Sequence, residues 1–131
     1  MPAGGGTARQ VTTGGGLYGV ESHDAQDFYY QKKSGGSLWQ MPVTAGLERE
    51  LLGPVFWRNF AVVRRGIYFM HPEAQGLSIR FYSFAKKKTV AIAKLEKTAH
   101  VGLSVSPDEH WLLYSQIDQQ GSDLMLIDNF R

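Results

Sequence analysis

The chain contains no cysteine, which excludes disulfides, thiolate zinc sites, iron–sulfur clusters and cysteine nucleophiles together. No apolar run approaches the ~18 residues of a membrane-spanning helix. Residues 1–16 have neither the basic start nor the apolar centre of a signal peptide, so this segment is expected neither to insert into a membrane nor to carry an export address. Charge of one sign is scarce as well. With 14 basic and 12 acidic residues the net charge is +2, too small to draw in nucleic acid by bulk charge. Helical periodicity is hard to find. What remains is 131 residues, 43% apolar and 20% charged, an ordinary globular composition with room for one small domain and not for two catalytic ones.

Residues 1–16, with six glycines, read as a flexible lead-in around one short extended piece at 9–13. Beyond them, runs of four to eight residues rich in Val, Ile, Tyr, Phe and Trp are bounded by Gly, Pro, Asp or Ser, the pattern of strands. Strands are expected near 17–21, 28–31, 37–42, 49–52, 60–63, 67–70, 77–84, 89–95, 102–105, 111–116 and 123–128. The fold class is therefore all-β.

The runs repeat. Ser22-His23-Asp24, Phe28-Tyr29-Tyr30 and Ser37-Leu38-Trp39-Gln40-Met41 align with Ser106-Pro107-Asp108, Leu112-Leu113-Tyr114 and Ser122-Asp123-Leu124-Met125-Leu126 at an offset of about 84 residues. A third copy sits between them at Ala61-Val62-Val63, Ile67-Tyr68-Phe69 and Leu77-Ser78-Ile79-Arg80-Phe81-Tyr82, offset by about 39 and 45 residues. That spacing fits a four-stranded propeller blade. The expected organisation is a lead-in at 1–16 carrying one edge strand, then blades at 17–53, 54–97 and 98–131, the last without a fourth strand of its own. Tyr30, Phe69 and Tyr114 should hold equivalent places on the second strand of each copy. Because propellers close with about four to eight blades, three copies need either the missing blades of a longer chain or a second copy, as in a homodimer. The strand at 9–13 is expected to fill the vacancy beside 123–128.

The segment Ser106-Pro107-Asp108-Glu109-His110-Trp111-Leu112-Leu113-Tyr114, followed by Gly121-Ser122-Asp123-Leu124-Met125-Leu126-Ile127-Asp128, resembles the TolB-type, WD-like propeller repeat. That repeat reads S-P-D-G, an apolar-apolar-Tyr strand, then a second apolar strand ending in Asp. The likeness departs at Glu109, where the family has glycine; the first copy keeps Ser22 and Asp24 with His23 in place of proline. Most of the chain also looks like the C-terminal blades of bacterial sensor-like proteins with kinase or winged-helix domains. The resemblance implies a non-catalytic scaffold or sensing segment that binds a protein, peptide or small ligand. TolB-like blades also stand beside serine-peptidase domains, which leaves a substrate-gating part of such an enzyme as the alternative.

Independently of the family, Ser22, Asp24, Ser106, Pro107 and Asp108 are turn formers, since Asp bonds backbone amides two residues on and Pro favours the start of a turn. The strand at 111–114 is then expected to be buried on both faces between blades. His23, His71, His100 and His110 lack metal-ligand spacing, and no serine lies in a G-x-S-x-G elbow, so neither a metal, a cofactor nor a catalytic centre is expected. The glycines at 4–6 and 14–16 lack a phosphate-loop ending. Among the aromatics Tyr18, Trp39, Phe56, Trp57 and Tyr82, the candidates for holding a ligand are Phe56 and Trp57, with Arg58, in a loop leading into an innermost strand. Lys32-Lys33, Arg64-Arg65 and Lys86-Lys87-Lys88 would form a basic patch if they shared one rim.

Overall fold

The computed structural model describes residues 4–118, and among them there is no helix. Ten strands run in chain order: β1 (Tyr18–Glu21), β2 (Asp27–Gln31), β3 (Leu38–Pro42), β4 (Arg49–Leu52), β5 (Phe60–Val63), β6 (Gly66–Pro72), β7 (Leu77–Ser83), β8 (Lys88–Leu95), β9 (Ser104–Val105) and β10 (Leu112–Leu113). They form two four-stranded antiparallel meanders, β1 to β4 and β5 to β8, and a two-stranded hairpin of β9 and β10. The expected strand at 123–128 lies outside the described residues.

Each meander is apolar on both faces because its central strands carry large side chains at consecutive positions. In β2 Tyr29 and Tyr30 point to opposite faces, yet both are buried. In β6 Ile67 and Phe69 face the first sheet and Met70 the other side. Two cores result. One, built on Tyr29, Leu38, Val55, Phe60, Ile67 and Phe69, lies between the sheets. The other joins Met70, Leu77, Ile79 and Leu95 to Ala99 and Leu103, with Leu112 and Tyr114 packed against it. The central strands of the second sheet are thus covered on both sides, while its edge strand β8 stays exposed up to Leu95. Each fully buried Leu, Ile or Phe in these cores contributes roughly 1.5–3 kcal/mol.

Gln31 ties the first sheet to the chain that leads into the second. Fully buried, it donates its amide to Val55 O at 3.0 Å and accepts at Oε1 from Arg58 N at 2.9 Å. Val55 N in turn donates to Gly36 O at 3.1 Å. The 53–59 loop straddles the end of the second sheet, Val55 entering the first core and Phe56 the second.

The structure corrects three expectations. Residues 9–13 form no strand, and the lead-in crosses the outer face of the first sheet; the pairing expected with 123–128 lies outside the described residues. Gly16 lies beside the Tyr30 ring, where a Cβ would stand 3.7 Å from it, and Arg9 Nη2 donates to Val43 O at 3.1 Å. That face is therefore closed by the chain's own backbone. The strand expected at 111–116 shrinks to β10 and is buried on one face only, since Leu112 and Tyr114 pack inward while Trp111 and Leu113 stay 77% and 70% exposed. The three basic clusters do not share a rim. In an antiparallel meander successive turns fall at alternate ends, so the β2–β3 turn with Lys32-Lys33 lies opposite the ends that carry Arg64-Arg65 and Lys86-Lys87.

Replacing Gln31 by alanine removes both of these bonds and leaves Val55 O and Arg58 N without their side-chain partner. A loss of about 1–3 kcal/mol is expected. Urea unfolding measures it, and an unchanged midpoint would show that Gln31 does not join the two sheets.

Candidate functional site

The turns at 22–27 and 106–111 are the same structure made twice. Ser22 N donates to Asp27 O at 2.7 Å, and Ser106 N to Trp111 O at 2.9 Å. Ser22 Oγ donates to Asp24 Oδ1 at 2.6 Å, and Ser106 Oγ to Asp108 Oδ1 at 2.5 Å. Asp24 Oδ1 then accepts from Gln26 N at 3.2 Å, and Asp108 Oδ1 from His110 N at 3.1 Å. Each serine oxygen also accepts a backbone amide, from Asp27 and Trp111 respectively, at 3.0 Å. The residue after each Asp is left-handed, Ala25 at φ 57° and Glu109 at φ 58°. Glycine adopts that conformation without strain, and Ala25 and Glu109 hold it with a side chain. The five turn residues singled out in the sequence thus do the same work in both copies, with Pro107 where the first copy has His23.

These hydrogen bonds hold the Asp24 carboxyl below its ordinary 3.8, the Ser22 hydroxyl contributing most, and hold Asp108 below it in the same way through Ser106. The hydroxyls are committed to carboxylates and not to an imidazole. At Ser106, Asp108 and His110 the carboxylate stands between hydroxyl and ring, with His110 Nδ1 3.2 Å from Asp108 Oδ2. A nucleophile needs the base next to the hydroxyl, so this order orients a turn and activates nothing.

The first of these turns opens onto a cleft of about 520 Å³ between the two sheets. Its first-sheet wall is Asp27 and Tyr29 from β2, Gln40 from β3, and Arg49 and Leu51 from β4. The facing wall is Val63, Arg64, Tyr82, Phe84 and Lys87, and Ser22, His23 and Asp24 rim it. Tyr29 and Phe84 stack with ring centroids 5.7 Å apart and planes 17° apart, and Tyr82 meets Phe84 edge-on at 6.1 Å. Burial, with Asp27 and Asp24 nearby, pushes the Tyr29 hydroxyl up to about 12 and keeps it a neutral donor. Arg49 donates from Nε and Nη2 to Gln40 Oε1 at 3.0 and 2.6 Å, and Arg64 Nη2 lies 3.4 Å from His23 Nε2.

Phe56, Trp57 and Arg58 lie elsewhere. Phe56 packs into the second core, Trp57 meets Tyr18 edge-on at 6.5 Å, and the Arg58 guanidinium sits 4.7 Å over the Tyr18 ring. None of the three lines the cleft. Of the residues named from sequence as turn, charge or aromatic candidates, Ser22, His23, Asp24, Tyr82, Arg64 and Lys87 do line it; Tyr29, Phe84, Asp27 and Arg49 were not singled out as such. Alternation along β2 places Asp27 and Tyr29 on one face, but nothing local says which face meets another sheet. Among the described residues no three His, Asp or Glu side chains converge as a metal site. Neither family models nor curated proteins give a match to the chain.

Two outcomes follow for the turns. Ala25→Gly relieves a left-handed side chain and should stabilise the fold by about 0.5–1 kcal/mol, read by urea unfolding; destabilisation would contradict the strained geometry. Because the Asp24 value is lowered on folding, its stabilising contribution is present above 3.8 and is lost as the pH falls through the folded-state value. NMR titration should place Asp24 below 3.8 and return it toward 3.8 in Ser22→Ala; an unmoved midpoint would remove the hydroxyl from the account.

Proposed function

We propose that the chain is a non-catalytic binding segment of a β-propeller of the TolB-type repeat, with 17–53, 54–97 and 98–131 as successive blades. One observation carries this reading: the first-hairpin turns of all three units line up along one end of the molecule. Arg64, in the β5–β6 turn, reaches His23 in the β1–β2 turn, and Arg65 donates from Nε at 3.0 Å to Glu109 in the β9–β10 turn. The first strands of the second and third units, β5 and β9, lie side by side, as innermost strands of neighbouring blades do. Tyr30 and Phe69 face away from the next unit, Tyr30 under the lead-in and Phe69 on the preceding sheet, and Tyr114, just past the end of β10, also packs on the preceding sheet.

A propeller holds ligands between and above its blades, and the cleft between the first two sheets is the surface suited to that work. The resemblance to bacterial sensor-like proteins supports a scaffold or sensing role for it. The bare outer face of the third hairpin, with Trp111 and Leu113, is the place for a further blade, from a longer chain or from a second copy.

Sedimentation and hydrophobic-dye binding of the purified chain test the reading. Self-association or strong dye binding is expected, and Trp111→Glu with Leu113→Glu should abolish it. A dye-silent monomer would overturn the propeller segment. Turnover of ester or peptide substrates that disappears in Ser106→Ala would overturn the non-catalytic part.

A further inference from the structure

The cations of the inter-sheet cleft are arranged in a way that packing alone does not require. Arg49 comes from β4, Arg64 from the β5–β6 turn and Lys87 from the β7–β8 turn, yet all three line one cavity. Among the described residues none has a carboxylate within ion-pair distance, whereas Lys32, Arg65, Arg80 and Lys97 each do. Arg49 donates instead to the neutral Gln40 Oε1, and Arg64 Nη2 lies 3.4 Å from His23 Nε2. Such contacts orient a guanidinium without cancelling its charge and leave N–H donors over. Of the two carboxylates in the lining, Asp24 is engaged by the Ser22 hydroxyl and the Gln26 amide. Phe84 and Tyr82, both half-buried and edge-on to each other at 6.1 Å, supply an apolar wall beside this charge, with the buried Tyr29 ring stacked on Phe84 behind it.

The geometry points to a binding site for an aromatic carboxylate, its ring laid against the half-buried Phe84 and Tyr82 and its carboxylate taken by Arg49 and Arg64. Three cations against Asp24 and Asp27 leave a net charge of about +1 in the lining, which one carboxylate balances and a phosphate dianion overfills. A cleft of about 520 Å³ holds such a molecule or the last residues of a peptide. The inference rests on the reading of the chain as a non-catalytic binding segment, and it adds the class of ligand.

The test is calorimetry on the full chain with four probes: N-acetyl-L-phenylalanine, its amide, a tetrapeptide ending in phenylalanine with a free carboxylate, and the same peptide amidated. The acids should bind at least about 10-fold tighter than the amides, and the advantage should shrink in 1 M salt, as expected for a contact between charges near the surface. Arg49→Gln and Arg64→Gln should each weaken the acids about 5- to 10-fold and leave the amides unchanged, the size of one lost charge-assisted contact. Lys33→Gln, at the opposite end, should change neither. A tetrapeptide acid that binds tighter than N-acetylphenylalanine assigns the source to a peptide terminus, and equal affinities assign it to a free acid. Equal binding of acid and amide, unchanged affinity in both arginine variants, or no binding of any probe at millimolar concentration would overturn the ligand class. Cleavage of the peptide, seen by mass spectrometry, would instead overturn the non-catalytic reading while leaving any charge preference intact.

Discussion

A β-sheet that is apolar on both faces cannot stand alone in water, and every larger feature of this molecule answers that constraint. The central strands bury neighbours such as Tyr29 and Tyr30, or Phe69 and Met70, on opposite sides, so each sheet needs two covers. The second sheet obtains both, from the first sheet and from the third hairpin with its adjoining chain. The first sheet obtains one from the second and one from its own glycine-rich lead-in. Among the described residues the third hairpin leaves Trp111 and Leu113 in solvent, and the edge strand β8 leaves Val90 and Ile92 there.

The same stacking makes the cleft. Packed sheets are twisted, so their ends diverge even where their centres interlock, and the divergence here falls at the end that carries the 22–27 turn, Arg64 and Lys87. Gln31 and the 53–59 loop fix the other end by hydrogen bonds, so the sheets are fastened at one end and parted at the other. Polar groups needed for turns and for strand ends then become the lining of a cavity, with aromatic core residues at its base. The cleft in this fold is a by-product of how two twisted sheets meet.

Much of the architecture was legible in the sequence. Apolar and aromatic runs marked β1 to β8 to within a few residues, because each is bounded by turn formers. The kinship of Ser22 and Asp24 with Ser106 and Asp108 was legible too, since a side-chain-capped turn needs the same residues each time it is built. The fate of 9–13 was not, because a glycine-rich segment has no pattern that distinguishes pairing from crossing a face. The burial of 111–114 was misjudged because an apolar run does not reveal whether a second cover exists for it. The cleft was legible only in part. Arg49 and Tyr29 join Arg64 and Phe84 through contacts between sheets, and no local spacing encodes which faces meet.

The central claim is that the first two sheets are one packed body and not two independent hairpin stacks. Native-state hydrogen exchange measures it directly, by comparing the opening free energies of amides in β2 and β3 with those in β6 and β7. The account predicts one shared value for Tyr30, Trp39, Phe69 and Arg80, falling together as denaturant is added. Two separate values, with one sheet opening while the other stays protected, would contradict it.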